Sequence, residues 1–198
     1  GAGGATRPPP RATATPTPRP ADLCVLRSDH GCDTGGVLTT NKVKSAPVII
    51  DRLHLQHNRV RAITINSGNA NSCTGAQGFK DALLMAKLTA DRLDLDPHQV
   101  LVSSTGVIGR NLPMAAIKTG IIEACAQLST DGGDRAARAI MTTDTVPKTA
   151  QLEVDIAETT IRVGGMCKGS DMIHPNMGTL LAYSTTHASM KSGPMANP

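Results

Sequence analysis

Four glycine-containing stretches stand where apolar runs end, and each could bring bare backbone against a ligand: residues 66–78 (NSGNANSCTGAQG), 103–109 (SSTGVIG), 164–169 (GGMCKG) and 174–179 (HPNMGT). None is a phosphate loop. Lys168 is followed by Gly169 and Ser170 but preceded by Cys167, and no G-x-G-x-x-G follows a strand and opens a helix, so no nucleotide site is expected. His54 and His57 are the only histidines at helical spacing; among six histidines such a pair arises by chance, and it reads as a solvated face. No Ser–His–Asp arrangement announces itself. The five cysteines are odd in number, scattered and free of any Cys-x-x-Cys pair, which points to a reducing compartment rather than to zinc or a redox pair.

The composition narrows the partners. With no Trp, one Tyr (Tyr183) and one Phe (Phe79) in 198 residues, the stacking platforms of single-strand nucleic-acid binders are missing. The net charge of +4 implies no basic face: Arg7, Arg11 and Arg19 lie in an acid-free stretch, leaving 17 basic and 16 acidic residues elsewhere. Apolar residues make up 39% and charged residues 18%, enough for one domain with a proper core. No apolar run approaches the ~20 residues that cross a bilayer, and no segment resembles a secretory signal, so a soluble intracellular chain is expected. Residues 1–20 hold six of the 13 prolines and read as a disordered tail unable to form a helix or a strand ladder. As an Arg-containing leader it is also a candidate organelle address, although its prolines spoil an amphipathic helix. The chain begins without Met and is read as processed or partial.

These loops need elements to position them. Residues 22–28, 47–51, 60–66 and 100–103 are short aliphatic or β-branched runs bounded by turn residues and read as strands. Phe79, Leu83, Ala86, Ala90 and Leu93 recur at helical spacing after Thr74-x-x-Gln77, which has the form of a capping box. A second helix is expected over 113–128, with Met114, Ile117, Ile121, Ala124 or Cys125 and Leu128 inward, and a third over 134–141. Residues 151–156 and 160–163 alternate about a turn near Ala157 and Glu158 and predict a hairpin. Irregular alternation of strands and helices favours a layered, mixed α/β fold over a doubly wound one.

In this order the loops resemble a known family, the bifunctional ornithine acetyltransferase/N-acetylglutamate synthases of arginine biosynthesis. The residues carrying the resemblance are 36–48 (GVLTTNKVKSAPV), 65–78 (INSGNANSCTGAQG), 103–114 (SSTGVIGRNLPM), 139–148 (AIMTTDTVPK) and 164–186 (GGMCKGSDMIHPNMGTLLAYSTT). The resemblance implies an αβ sandwich of the ornithine acetyltransferase type, here its N-terminal half, with an α-chain-like domain over 21–178 and the start of a β-chain-like segment over 179–198. It further implies a precursor that cuts itself between Gly178 and Thr179, freeing Thr179 as the nucleophile. An N-terminal Thr carries an α-amine of pKa ~8 beside its hydroxyl, a built-in base near working pH.

The matching positions make Thr105 and Gly106 the oxyanion donors, in a loop where a hydroxyl and a bare backbone N–H could both point outward, and make Thr142 and Lys168 substrate contacts. Lys168 is the cation for an α-carboxylate, while Thr143 and Asp144 cap or brace their loop. The implied activity is ping-pong acetyl transfer from N-acetylornithine to glutamate, with acetyl-CoA as a possible second donor and no metal or organic cofactor. The implied partner is a β chain, from the same precursor or a separate polypeptide. The cytoplasm is the expected location, the mitochondrial matrix the alternative. Two other readings stay open: a catalytically silent α-chain-like subunit, and hydrolysis as in N-terminal-nucleophile aminopeptidases. Three residues depart from the family pattern: Asp171 close to Lys168, His174, and Gly178 in place of the usual Ala. An isolated half is also expected to expose apolar sheet surface.

Overall fold

The computed structural model describes residues 11–14 as backbone, and residues 22–57, 59–156, 158–169 and 180–188. Two sheets and four helices make up these residues. The first sheet orders β1 (Arg11–Ala14), β2 (Leu23–Cys32), β3 (Val60–Asn69) and β4 (Val100–Val107) side by side; only the β3–β4 pair is parallel. The second is an antiparallel meander of β5 (Lys148–Ile156), β6 (Thr159–Lys168) and β7 (Leu181–Thr186).

Strand alternation sends the side chains of the first sheet into two layers. Leu23, Val25, Ala62, Val100 and Val102 meet α1 (Ala46–His54), α2 (Gly75–Leu93) and α3 (Met114–Ala126) in the larger core, with Ile50, Met85 and Ile121 fully buried. Cys24, Leu26 and Ile65 face the other way, against α4 (Gly133–Ala139), Ile140 and the second-sheet residues Met166, Leu181 and Tyr183. The mixed, layered α/β architecture is the one expected.

Several local expectations change. Residues 47–51 form the body of α1, not a strand. A run of Val48, Ile49 and Ile50 suits either state; the helix wins because Ser45 enters it in extended conformation, Pro47 fits its first turn, and Ala46, Ile50 and His54 recur every four residues on the buried face. Arg11–Ala14, assigned to a structureless tail, pair antiparallel with β2 as β1. That stretch lies between Pro10 and Pro16 and holds no proline, so its amides remain available to a ladder. The capping box at α2 does not form: Thr74 donates its hydroxyl to Asn71 and Gln77 binds Asp81. On the inward face of α2, Ala86, Ala90 and Leu93 are buried and Phe79 packs on the core as expected, but Leu83 stays 41% exposed and Ala82, Met85 and Thr89 are buried beside them. The Thr89 and Thr64 hydroxyls meet across the helix–sheet interface, which accounts for the burial of a polar residue on that face.

The first sheet ends at β4, whose outer edge would leave backbone groups unpaired. Helix α1 covers that edge with two side chains one turn apart. The Val102 N–H donates to Asp51 Oδ1 at 2.8 Å, and His54 Nδ1 donates to the Val100 carbonyl at 2.7 Å. His54 is therefore buried, 4% exposed, and the solvated face expected for the 54/57 pair does not hold at its first member. If α1 is held on the sheet through Ile50, Ile50→Val should cost about 1 kcal/mol in chemical denaturation, since a methylene is removed from a fully closed site.

Candidate active site

The parallel pair β3–β4 ends in Ser67, Gly68 and Asn69 facing Thr105, Gly106 and Val107 in register. Gly68 and Gly106 both have positive φ, 111° and 127°. A Cβ on Gly106 would stand 2.2 Å from the Gly68 carbonyl carbon, so the two strands meet there backbone to backbone. The surrounding loop is held by its own amides: the Ala70 N–H donates to the Val107 carbonyl, the Gly109 N–H to the Ser72 carbonyl and Asn71 Nδ2 to the Gly78 carbonyl. Ser104 donates to Asn66 Oδ1 at 2.6 Å, and Ser67 donates to the Ala139 carbonyl at 2.7 Å, which fixes the end of α4 against the same edge.

Thr105, on the face of β4 that looks toward the second sheet, is 6% exposed. The end of β6 brings Lys168 to it. The Lys168 ammonium, 3% exposed, donates to Thr105 Oγ1 at 3.2 Å and to Thr142 Oγ1 at 2.6 Å, joining residues 63 and 26 positions apart. The Thr105 hydroxyl thus turns inward to a cation rather than outward. Because its oxygen accepts from an ammonium, its own proton is left to donate, and the bond polarises it for that role.

Asp144 braces the same corner. One oxygen accepts from the Lys148 ammonium and from the Gly169 amide at 3.0 Å, which anchors the residue after Lys168; the other is buried without a partner. Burial alone would raise this carboxyl, but the hydrogen bonds from Lys148, Gly169 and the Thr142 backbone together hold it below its usual range. Asp144 is the bracing residue expected. Ser67 and Ser104 had no separate signal beyond their place in the glycine loops, and Lys148 none beyond its place at the end of the 139–148 stretch.

Of the predicted site residues, Thr105, Gly106, Thr142 and Lys168 come together at this corner. Gly178 and Thr179, with Asp171 and His174, lie outside the described residues. Their flanks are placed: Lys168 pairs with Leu181 across β6 and β7, so both ends of the intervening chain leave from the corner that holds Thr105. A groove of about 510 Å³ between α4 and the second sheet touches Met166, Tyr183 and Gln151 but none of Thr105, Thr142 and Lys168, and it is not the place where this chemistry gathers. All five cysteines are free; burial pushes the Cys24 thiol up to about 12. Among the described residues no helix is long and apolar enough to cross a membrane, and no three His, Cys, Asp or Glu side chains form a group that could hold a metal ion.

Comparison with known proteins places this corner in a family. The arginine biosynthesis bifunctional protein ArgJ of Symbiobacterium thermophilum is 49% identical over 169 residues, covering 85% of this chain and 42% of the relative. That of Thermotoga neapolitana is 50% identical over 171 residues, covering 85% and 43%. This chain therefore spans less than half the length of these relatives. Among solved structures, ArgJ of Bacillus halodurans superposes with a TM-score of 0.78 at 33% identity, over 88% of this chain and 92% of that one. The ornithine acetyltransferase of Mycobacterium tuberculosis, crystallised with ornithine, gives 0.74 at 34% identity, over 88% and 94%. The ArgJ family model itself matches residues 12–197, both sheets and the whole Thr105–Lys168 corner included, and the chain belongs to the ArgJ family.

Proposed function

We propose that this chain is the α-chain-like part of an acetyltransferase that moves acetyl from N-acetylornithine to glutamate through Thr179. The observation that carries the reading is the Lys168 ammonium held between the Thr105 and Thr142 hydroxyls beside the bare Gly106 backbone. Thr179 Oγ adds to the acetyl carbonyl, its proton passing to the neighbouring α-amine. The Thr105 hydroxyl and the Gly106 amide receive the oxyanion, a role in which one donor accounts for ~3–4 kcal/mol. The C–N bond breaks, ornithine leaves with the proton, and the amine of glutamate repeats the attack on acetyl-Thr179. Lys168 adds positive charge at the oxyanion and, on its Thr142 side, faces the α-carboxylate both substrates share. This route uses no metal or organic cofactor. The bifunctional names of the relatives favour acetyl-CoA as a second donor to the same threonine.

Competence first requires scission of the Gly178–Thr179 bond, by attack of the Thr179 hydroxyl on the Gly178 carbonyl, an N-to-O acyl shift and hydrolysis. Residues 181–186 would stay with the body after the cut, because β7 is hydrogen-bonded along β6. A β-chain polypeptide is the proposed partner. Cross-strand neighbours Leu152 and Val163 are 60% and 38% exposed, and Ile156 beyond them 56%, an apolar stripe on a hairpin that such a partner would cover. The cytoplasm is the proposed location; one relative, from Heterostelium pallidum, carries "mitochondrial" in its name.

The test is incubation with N-acetylornithine, with and without glutamate, with Thr179→Ala as the blank. Ornithine release that needs glutamate is the expected result, with denaturing intact mass showing pieces that end at Gly178 and start at Thr179. Release without glutamate means hydrolysis. An uncut chain with no acetyl adduct and no release means a silent subunit, and overturns the reading.

A further inference from the structure

The Lys168–Thr142 hydrogen bond joins the end of β6 to the stretch that leads from α4 into β5, and Asp144 closes that contact into a ring. Going round it, the Lys168 ammonium donates to Thr142 Oγ1, the Thr142 amide faces the Asp144 carboxylate, and the carboxylate accepts from the Gly169 amide, one peptide bond from Lys168. Gly169 has φ 115°, so the chain turns away from β6 at the residue whose amide Asp144 holds. Lys148, at the start of β5, donates its ammonium to the same carboxylate oxygen.

Burial separates this carboxylate from the residues that can meet substrate. Thr142 is exposed, whereas the Asp144 side chain is closed to solvent, with Oδ1 taken by Lys148 and Gly169. A lysine ammonium is a point charge on a flexible four-carbon stem and selects no direction by itself. Buried as it is, Lys168 needs opposite charge nearby and a fixed surrounding. The ring supplies both: Asp144 grips the backbone at the root of Lys168 and the residue that receives its tip.

We propose that Asp144 is the positioning residue of this site: without touching substrate, its carboxylate fixes the Lys168 ammonium between Thr105 and Thr142, with Lys148 as its counter-ion. The reaction it serves rests on the acetyl-transfer reading above, but the placement of Lys168 is measurable without that reading. Asp144→Asn keeps an oxygen for the Gly169 amide and removes the charge that offsets the buried ammonium, so Lys168 is freed to swing toward solvent while the fold persists.

Limited acetylation of the whole chain with acetic anhydride, read lysine by lysine in peptide mass spectra, tests this, with exposed Lys118 as the internal reference. In the parent, Lys168 should react at least tenfold more slowly than Lys118. Asp144→Asn should raise the Lys168 rate at least fivefold and Lys148→Met at least twofold, whereas Ile50→Val, which loosens the fold elsewhere, should leave it unchanged. In the N-acetylornithine assay with glutamate, Asp144→Asn should lower kcat at least tenfold and raise KM at least threefold, because one ammonium serves both the oxyanion and the α-carboxylate. Lys168 labelling unchanged in either Asp144→Asn or Lys148→Met overturns the proposal, as does an equal rise in Ile50→Val. A fall in kcat with KM unchanged marks a smaller folded fraction and overturns it too. No ornithine release from the parent overturns the acetyl-transfer reading instead, and the labelling then decides the role of Asp144 by itself.

Discussion

Gly106→Ala should cost about 3–5 kcal/mol of folding free energy, a large part of the ~5–15 kcal/mol that holds a domain together. Two causes add. At φ 127° an alanine is strained whatever surrounds it, and here its Cβ would lie 2.2 Å and 2.3 Å from the Gly68 carbonyl carbon and oxygen. Backbone on the facing strand has no rotamer to escape into, so β3 and β4 must part at the residue beside Thr105. Two controls separate the causes by urea denaturation. Gly109→Ala meets the strain alone, with φ 79° and nothing within 4 Å of its Cβ, and should cost about 1–2 kcal/mol. Gly133→Ala meets neither and should stay within about 0.5 kcal/mol. Equal losses at 106 and 109 would show that the close approach of the strands does not matter.

The second large effect has the opposite sign. Asp51→Asn should stabilise the protein at pH 8 and above while changing little near pH 4. Burial pushes the Asp51 carboxyl from 3.8 up to about 8, against the lowering effect of the Val102 amide. The folded chain therefore keeps a proton that the unfolded chain releases above pH 4. As pH rises through this window the unfolded state is favoured, and the loss levels off once the folded carboxyl ionises near 8. The ceiling is about 6 kcal/mol. Asparagine retains an oxygen for the Val102 N–H and carries no charge, so the difference in Tm between variant and parent should grow from pH 4 to 8 and then flatten. A difference independent of pH would mean that Asp51 is ionised in the fold. Asp51→Leu, by contrast, should destabilise at every pH by leaving the β4 amide unpaired.

Much of the architecture was legible in the residue order. The hairpin pairs Leu152 with Val163 and Val154 with Ile161, as the alternation of apolar and polar residues requires. In α3, Ile117, Ile121 and Ala124 are buried at the expected spacing. The glycine loops were identifiable because a left-handed or closely approached backbone excludes other residues, and Gly106 and Gly169 both have positive φ. The stretch 47–51 was not legible: Val48, Ile49 and Ile50 satisfy a strand as well as a helix until β4 is present to be covered by Asp51 and His54.

The amino-acid order by itself determined the family, the order of the elements and the loops where chemistry gathers, because these are set by patterns within some ten to twenty neighbouring residues. Only the tertiary structure decided what those residues meet. Lys168 reaches Thr105 across 63 positions, and His98 reaches His54 from another turn, because strand twist and layer stacking choose which faces oppose each other. No local period records that choice. The burial that turns Thr105 toward an ammonium, and that keeps a proton on Asp51, exists only once the layers have closed.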